Sequence, residues 1–236
     1  MNQGRFTDMK ILEKLQGSLV VSCQPVDDGP MDHPTITAAM ALAAEAGGAA
    51  GIRIEGAENL AAIRPLTSMP IIGIIKKDLA TSPVRITPHL EDVTTLIGEG
   101  ADIVAYDATD RPRPVATAEL VGAIKQSGKL AMADCASVSD AQTALAEGAD
   151  IIGTTLSGYA YQAAPPDAGP DLDLIREIKK LDGFVMAEGR LNSPHLAEMA
   201  ILAGADCITV GSAVTRVEHI TSWFVQAVES AQDRHG

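Results

Sequence analysis

Three ionisable residues stand where apolar runs give way to polar chain. Lys76 follows Ile71-Ile72-Gly73-Ile74-Ile75, Asp134 follows Leu130-Ala131-Met132-Ala133, and Glu188 follows Phe184-Val185-Met186-Ala187. An ammonium next to such a core is partly desolvated and its pKa falls, which would let Lys76 take a proton from carbon or form a Schiff base. The competing reading is a lysine whose stem lies on apolar surface with its head in water beside Lys77. A carboxylate at the edge of an apolar core is costly unless paired or used. Glu188 and Asp134 therefore read either as acid/base partners of Lys76 or as salt bridges to Arg53, Arg190 or Lys76 that seal the core. A second group of residues points to an anion. Gly189-Arg190 follows one run and Gly211-Ser212-Ala213-Val214-Thr215-Arg216 another. Glycines let backbone N–H groups approach phosphate oxygens, a helix N-terminus adds its dipole, and Arg216 can close over the charge. An ordinary turn capped by Ser212 has the same appearance.

The elements that must hold these residues are announced by a repeat. Gly48-Ala49-Ala50, Gly100-Ala101-Asp102, Gly148-Ala149-Asp150 and Gly204-Ala205-Asp206 each end a helical pattern and open an apolar strand, about 50 residues apart. That interval holds two strand-plus-helix units, so four repeats make eight strands. They are Leu19–Val21, Ile52–Ile54, Ile71–Ile75, Ile103–Tyr106, Leu130–Met132, Ile151–Gly153, Phe184–Ala187 and Cys207–Val210. Eight strands alternating with helices predict an α/β fold: residues 1–236 as a single (β/α)8 TIM barrel, one catalytic domain. A doubly wound open sheet fits less well, because no Gly-x-Gly-x-x-Gly turn follows the first strand. Barrel enzymes carry their chemistry at the carboxyl ends of the strands. Those ends are Gln24, Arg53, Lys76, Asp107, Asp134, Thr154, Glu188 and Gly211-Ser212.

Composition narrows the class. The chain is 46% hydrophobic and 3% aromatic, with a formal net charge of −13, which disfavours nucleic acid and anionic membrane surfaces as partners. Neither a signal-peptide core near the amino terminus nor a run long enough to span a bilayer is present, so the expected location is cytoplasmic. The three cysteines, Cys23, Cys135 and Cys207, lack Cys-x-x-Cys spacing and read as buried thiols; the five histidines form no ligand pattern, so no metal is expected. Residues 156–170, with Gly158, Pro165, Pro166 and Pro170, read as a lid or a surface loop. The apolar residues Trp223, Phe224 and Val225 of the last helix could cover the core or a partner, and a homodimer is expected.

Taken together, Val21-Ser22-Cys23-Gln24, Gly51-Ile52-Arg53, Pro70 to Asp78, Asp107 to Pro114, Met132-Ala133-Asp134, Ile151 to Tyr159, Ala187-Glu188-Gly189-Arg190 and Val210-Gly211-Ser212-Ala213 resemble the N-acetylmannosamine-6-phosphate 2-epimerase family. The resemblance runs in order from about Gly17 to Phe224. It implies a cofactor-independent isomerase acting on an aminosugar phosphate in sialic acid catabolism, with Lys76 as the acid/base at C2 and Glu188 as its partner. Gln24, Arg53 and Asp134 are implied at the sugar, and Gly189, Gly211, Ser212 and Arg216 around the phosphate; Thr154 at its strand end and Arg190 beside Gly189 are further candidate substrate-binding residues. Lys77 stands where many members carry arginine, and Ile54-Glu55-Gly56 replaces a more usual Ala-Asn-Gly. A Schiff-base aldolase acting on a phosphorylated or acidic sugar, and a barrel that only binds an aminosugar phosphate, are the rival classes.

Overall fold

A computed structural model describes residues 3–165 and 168–234; Pro166, which falls within the expected loop, and the chain ends lie outside the described residues. Helix α1 (Gln3–Leu15) precedes strand β1 (Ser18–Cys23), and from there strands and helices alternate. The order is α2 (Pro34–Ala46), β2 (Gly51–Glu55), α3 (Ala57–Ile63), β3 (Ile71–Ile74), α4 (Leu90–Gly98), β4 (Ile103–Asp107), α5 (Thr117–Gln126) and β5 (Leu130–Asp134). The second half continues with α6 (Val138–Glu147), β6 (Ile151–Gly153), α7 (Leu172–Lys179), β7 (Phe184–Glu188), α8 (Pro194–Leu202) and β8 (Cys207–Val210). The short α9 (Ser212–Thr215) and the long α10 (Val217–Asp233) finish the chain. Every strand pairs in parallel with the next, and β8 pairs with β1 through Ser18↔Cys207 to Val21↔Val210, closing an eight-stranded barrel. The TIM barrel expected from the repeat is the fold observed, and each strand lies on its expected run.

The strands are apolar on both faces because each face has a different core to fill. Val20, Ile72, Ile74, Ile103, Leu130, Met132, Ile151, Met186 and Cys207 pack inside the barrel with Leu15 of α1. Val21, Ile52, Ile54, Val104, Tyr106, Ala131, Ile152 and Val185 pack outward against the helices. Burying one such Ile or Leu contributes about 1.5–3 kcal/mol. The alternation carries the inward set upward in steps of two, from Met132 to Asp134, from Met186 to Glu188 and from Ile74 to Lys76. Apolar layers thus give way to polar groups at one end of the barrel.

The repeat has a physical cause at the opposite end. Its four glycines, Gly48, Gly100, Gly148 and Gly204, all have φ between +94° and +112°, a turn out of the helix that a side chain resists. The aspartates that follow then act as staples. Asp102, Asp150 and Asp206 accept the backbone N–H of Ile71, Ala131 and Val185, each the first or second residue of the preceding strand. Each is also paired with a cation: Arg64 at 2.8 Å, Lys125 at 2.5 Å and Lys179 at 2.6 Å. These residues join neighbouring strands away from the polar end, so their repetition is architectural.

The cysteines are buried and free, as expected, and burial pushes the Cys23 thiol up to about 12 and the Cys207 thiol up to about 11. Among the described residues no group of His, Cys, Asp and Glu is placed to hold a metal, and no helix is long and apolar enough to cross a membrane.

Candidate active site

The polar end of the barrel opens into a cavity of about 580 Å³. Beneath its floor lies a pair of buried charges. Arg53 of β2, 1% exposed, donates from Nη1 to Asp134 Oδ1 at 3.0 Å and from Nη2 to Asp134 Oδ2 at 2.6 Å, and Asp134 is fully buried. The same Nη1 donates to Glu188 Oε2 at 2.8 Å. Thr155 Oγ1 donates to Asp134 Oδ1 at 2.6 Å. A planar guanidinium satisfies this geometry where a lysine could not, because it makes two parallel bonds to one carboxylate and still reaches a second. Gly153, between these residues on β6, has no room for a side chain: a Cβ there would lie 2.8 Å from the Met132 methyl and 3.2 Å from Asp134 Oδ1. Arg53 and Asp134 therefore hold Glu188 from below, and of the three only Glu188 lines the cavity.

Burial raises the Glu188 carboxyl to about 7, helped by the Asp134 charge and opposed by Arg53 and Lys76. Lys76, across the floor, moves the other way. Burial lowers its pKa first, and the Arg53 charge adds to this while Glu55 opposes it. Its Nζ donates to Gln24 Oε1 at 2.5 Å, and Gln24 Nε2 donates to Ser22 Oγ at 2.7 Å. The lysine lies just past β3, in an antiparallel bridge with Ile86, so the chain after β3 doubles back on it. Thr87 fixes that return by donating from Oγ1 to Ala105 O on β4 at 2.7 Å. Lys76 and Glu188 line one cavity with proton affinities drawn toward each other, the arrangement that acid–base exchange at near-neutral pH requires.

The anion end also assembles, with differences. Gly189, Arg190, Gly211, Ser212 and Arg216 all line the cavity. Arg216 is steadied by donating from Nε to Gln24 O at 2.9 Å, and Thr215 Oγ1 donates to Ser22 O at 2.8 Å, which ties the α9–α10 junction to the end of β1. The Arg190 guanidinium is engaged with backbone carbonyls of residues 157 and 169. Thr154 lies outside the cavity: its Oγ1 donates to Glu188 O at 2.9 Å and accepts from Glu188 N at 3.1 Å, so it fixes the backbone that carries the acid. Its neighbour Thr155 is the one that faces in. Asp107 is also outside; its carboxylate is taken up by Thr109 and Arg111 and shapes its own loop.

Several lining residues were not singled out from sequence: Ser22, Thr155, Tyr159, Thr209 and His219. The first, second and fourth follow from strict alternation, two positions from Gln24, Gly153 and Gly211. Trp223, expected to cover the core or a partner, instead faces the cavity with His219 from α10. Nothing in the sequence marks a terminal helix as returning over the barrel mouth.

Comparison with known proteins identifies the family. The family described as "Putative N-acetylmannosamine-6-phosphate epimerase" matches residues 37–230. A relative from Haemophilus influenzae with that activity in its name is 53% identical over 228 residues, covering 97% of this chain and 99% of the relative. The "Bifunctional enzyme NanE/NanK" of Brucella melitensis is 57% identical over 222 residues, covering 94% of this chain; the chain spans only 43% of that longer protein. The solved structure of the N-acetylmannosamine-6-phosphate 2-epimerase from Clostridium perfringens superposes with a TM-score of 0.88 at 37% identity, covering 92% of this chain and 96% of that one. A thiamine phosphate pyrophosphorylase from Pyrococcus furiosus, at 20% identity and a TM-score of 0.60, shares the fold alone. The chain belongs to the N-acetylmannosamine-6-phosphate epimerase family.

Proposed function

We propose that the chain interconverts N-acetylmannosamine 6-phosphate and N-acetylglucosamine 6-phosphate by removing and returning the proton at C2. The observation that carries this reading is the pair Lys76 and Glu188 on one cavity floor, one pKa lowered and the other raised to about 7, in a chain of this family. C2 of the closed ring is not acidic, but in the open-chain aldehyde it is α to a carbonyl. Neutral Lys76 takes the C2 proton and becomes an ammonium, while Glu188 in its acid form gives its proton to O1, leaving a neutral enol. Return of one proton to the opposite face of C2 and of the other to Glu188 restores both groups and inverts the centre.

Arg53 and Asp134 set the orientation and proton affinity of Glu188 beneath the reacting carbon, and Thr154 holds its backbone. Gln24 steadies Lys76 and, with Thr155, faces the sugar. Thr209 Oγ1, buried in the cavity wall without a protein partner, is available to a substrate oxygen. The phosphate falls to the Gly189–Arg190 backbone, to Gly211 and Ser212, where the first N–H groups of α9 have no intrahelical partner, and to Arg216. Anchored there, it orients C2 toward Lys76 and O1 toward Glu188 through binding energy remote from the reaction.

The chain acts in this reading as one cofactor-independent catalytic domain, in the cytoplasm, in sialic acid catabolism. It pairs as a homodimer through α10, in which no residue is buried and Val217, Phe224, Val225 and Val228 form one exposed apolar stripe. Light scattering of the purified chain checks the dimer. Proton NMR of N-acetylmannosamine 6-phosphate with enzyme in D2O tests the reaction. N-acetylglucosamine 6-phosphate carrying deuterium at C2 is the expected product. An unchanged spectrum from folded protein refutes the epimerase reading, and a borohydride-trapped adduct on Lys76 would replace it with the aldolase.

A further inference from the structure

Arg190 follows Glu188 and Gly189 in the chain, and its side chain bridges two stretches of backbone distant in sequence. Nη1 donates to Ser157 O at 2.6 Å and Nε donates to Gly169 O at 2.7 Å. The guanidinium also lies over the Tyr159 ring, 5.6 Å from its centroid. Room for it is made on both sides. Gly158, at φ +76°, has no side chain, and a Cβ there would come 2.6 Å from Arg190 Nη1. Arg190 itself adopts φ +56°, a left-handed conformation that strains a non-glycine residue and persists where surrounding contacts enforce it. The stretches it joins supply Gly158, Tyr159, Ala164, Pro165 and Ala168, one whole wall of the cavity. Two of its three nitrogens, Nε and Nη1, are engaged with backbone carbonyls and one face lies on an aromatic ring, so protein contacts set the position of the guanidinium.

We infer that Arg190 is a positioning residue that holds the Gly158–Pro165 wall at the anion end of the cavity and couples it to the backbone of Glu188, rather than a cation that binds the phosphate. The inference rests on the epimerase reading only for its kinetic consequence. Two carbonyls and a ring face are matched by a planar fork and not by an ammonium, so lysine should not replace Arg190 in this role. Lysine would serve well as a point charge facing phosphate.

The test compares Arg190→Lys, Arg190→Ala and Gly158→Ala with the unaltered chain. Gly158→Ala leaves the arginine in place but crowds both its Nη1 and the Ala164 methyl, each 2.6 Å from the added Cβ, so it perturbs the wall from the other side of the contact and the Arg190 variants isolate the arginine itself. Chymotrypsin, which cuts after tyrosine, reports on the wall at Tyr159 and Tyr161, with cut sites mapped by mass. Competition by inorganic phosphate reports on the anion site. All three variants are expected to be cut there about tenfold faster or more, with cleavage confined to these two bonds. Their kcat should fall about tenfold to a hundredfold, while the inhibition constant of inorganic phosphate stays within about twofold. Wild-type cleavage rates in Arg190→Lys and Gly158→Ala overturn the inference. So does rescue of activity by lysine with weakened phosphate inhibition in Arg190→Ala, the pattern of a direct ion contact. If the unaltered chain epimerises nothing, the proposed reaction fails, while the proteolysis results, which need no turnover, still decide whether Arg190 holds the wall.

Discussion

Replacing Asp134 by asparagine separates the structural and chemical duties of the buried charge network. Asp134 accepts two bonds from Arg53 and one from Thr155 and is fully buried with its partner. An asparagine of the same shape removes the negative charge and turns one acceptor into a donor facing a guanidinium. Removing one member of a buried pair costs about 3–5 kcal/mol where the remaining charge is left uncompensated, and Glu188, bonded to the same guanidinium, makes this the upper range here. In a chain of this size each kcal/mol lowers Tm by about 2–4 °C, so a fall of about 6–20 °C is expected in thermal unfolding at neutral pH. The chemistry should respond as well. Asp134 is one of the two influences that raise the Glu188 pKa, and its loss leaves Arg53 free to lower it. The acid limb of kcat/KM against pH should therefore move below its wild-type position near 7. The double variant Arg53→Met, Asp134→Leu tests the cause: apolar replacement of both members should recover much of the lost Tm with no return of activity. A single variant whose Tm lies within 2 °C of wild type, with an unmoved acid limb, would refute both the energetic and the electrostatic argument.

Neutral Lys76 with protonated Glu188 holds one proton between the two groups, as does the ion pair, so wild-type kcat/KM should be bell-shaped in pH, rising through the Glu188 pKa of about 7 and falling on an alkaline limb below the ordinary lysine value of 10.5; Glu188→Gln should lose the limb near 7. Lys76→Met should abolish deuterium exchange at C2, read by NMR. It should also raise Tm at pH 7, since a lysine whose folded pKa is lowered opposes folding while it is charged, and that gain should vanish as pH approaches 10.5. Asp206→Ala should cost about 1–3 kcal/mol in denaturant unfolding, because the buried Val185 N–H loses its acceptor. The Asp206 carboxyl is held low by Lys179 and the Val185 N–H against the opposing effect of burial. Its contribution is therefore present above the unfolded carboxylate pKa and lost as pH falls through the folded one, so wild type and variant should converge in strong acid.

The eight strands and the residues at their ends were legible because parallel barrel strands are apolar on both faces and the change to a polar side chain marks the catalytic end. Lys76, Glu188 and Gln24 could be placed on that ground, Gly211 and Arg216 on the glycine-led loop after the last strand, and all five line the cavity. Thr154 was named where Thr155 faces inward, since one residue of register changes the face and the short β6, Ile151–Gly153, offers little alternation from which to read it. The Gly-Ala-Asp repeat was legible as a period and silent about its cause. Its aspartates bond the N–H of the preceding strand, a relation that exists only once strands lie side by side.

Local pattern by itself determined that the chain alternates strand and helix eight times, that its strand ends carry a lysine, an arginine and three carboxylates, and that glycine turns follow the last two strands. These depend on hydrophobic period and backbone freedom, which are properties of neighbouring residues. Tertiary structure alone decided what each charged group does. It buried Arg53 under Glu188, set Asp134 to raise that acid, engaged Arg190 with the backbone of two distant stretches, and brought His219 and Trp223 of α10 over the mouth. The reason is that proton affinity and salt-bridge geometry depend on charges and low-dielectric surroundings a few ångströms away in space, which the closed barrel assembles from distant residues such as Arg53 and Glu188, 135 positions apart.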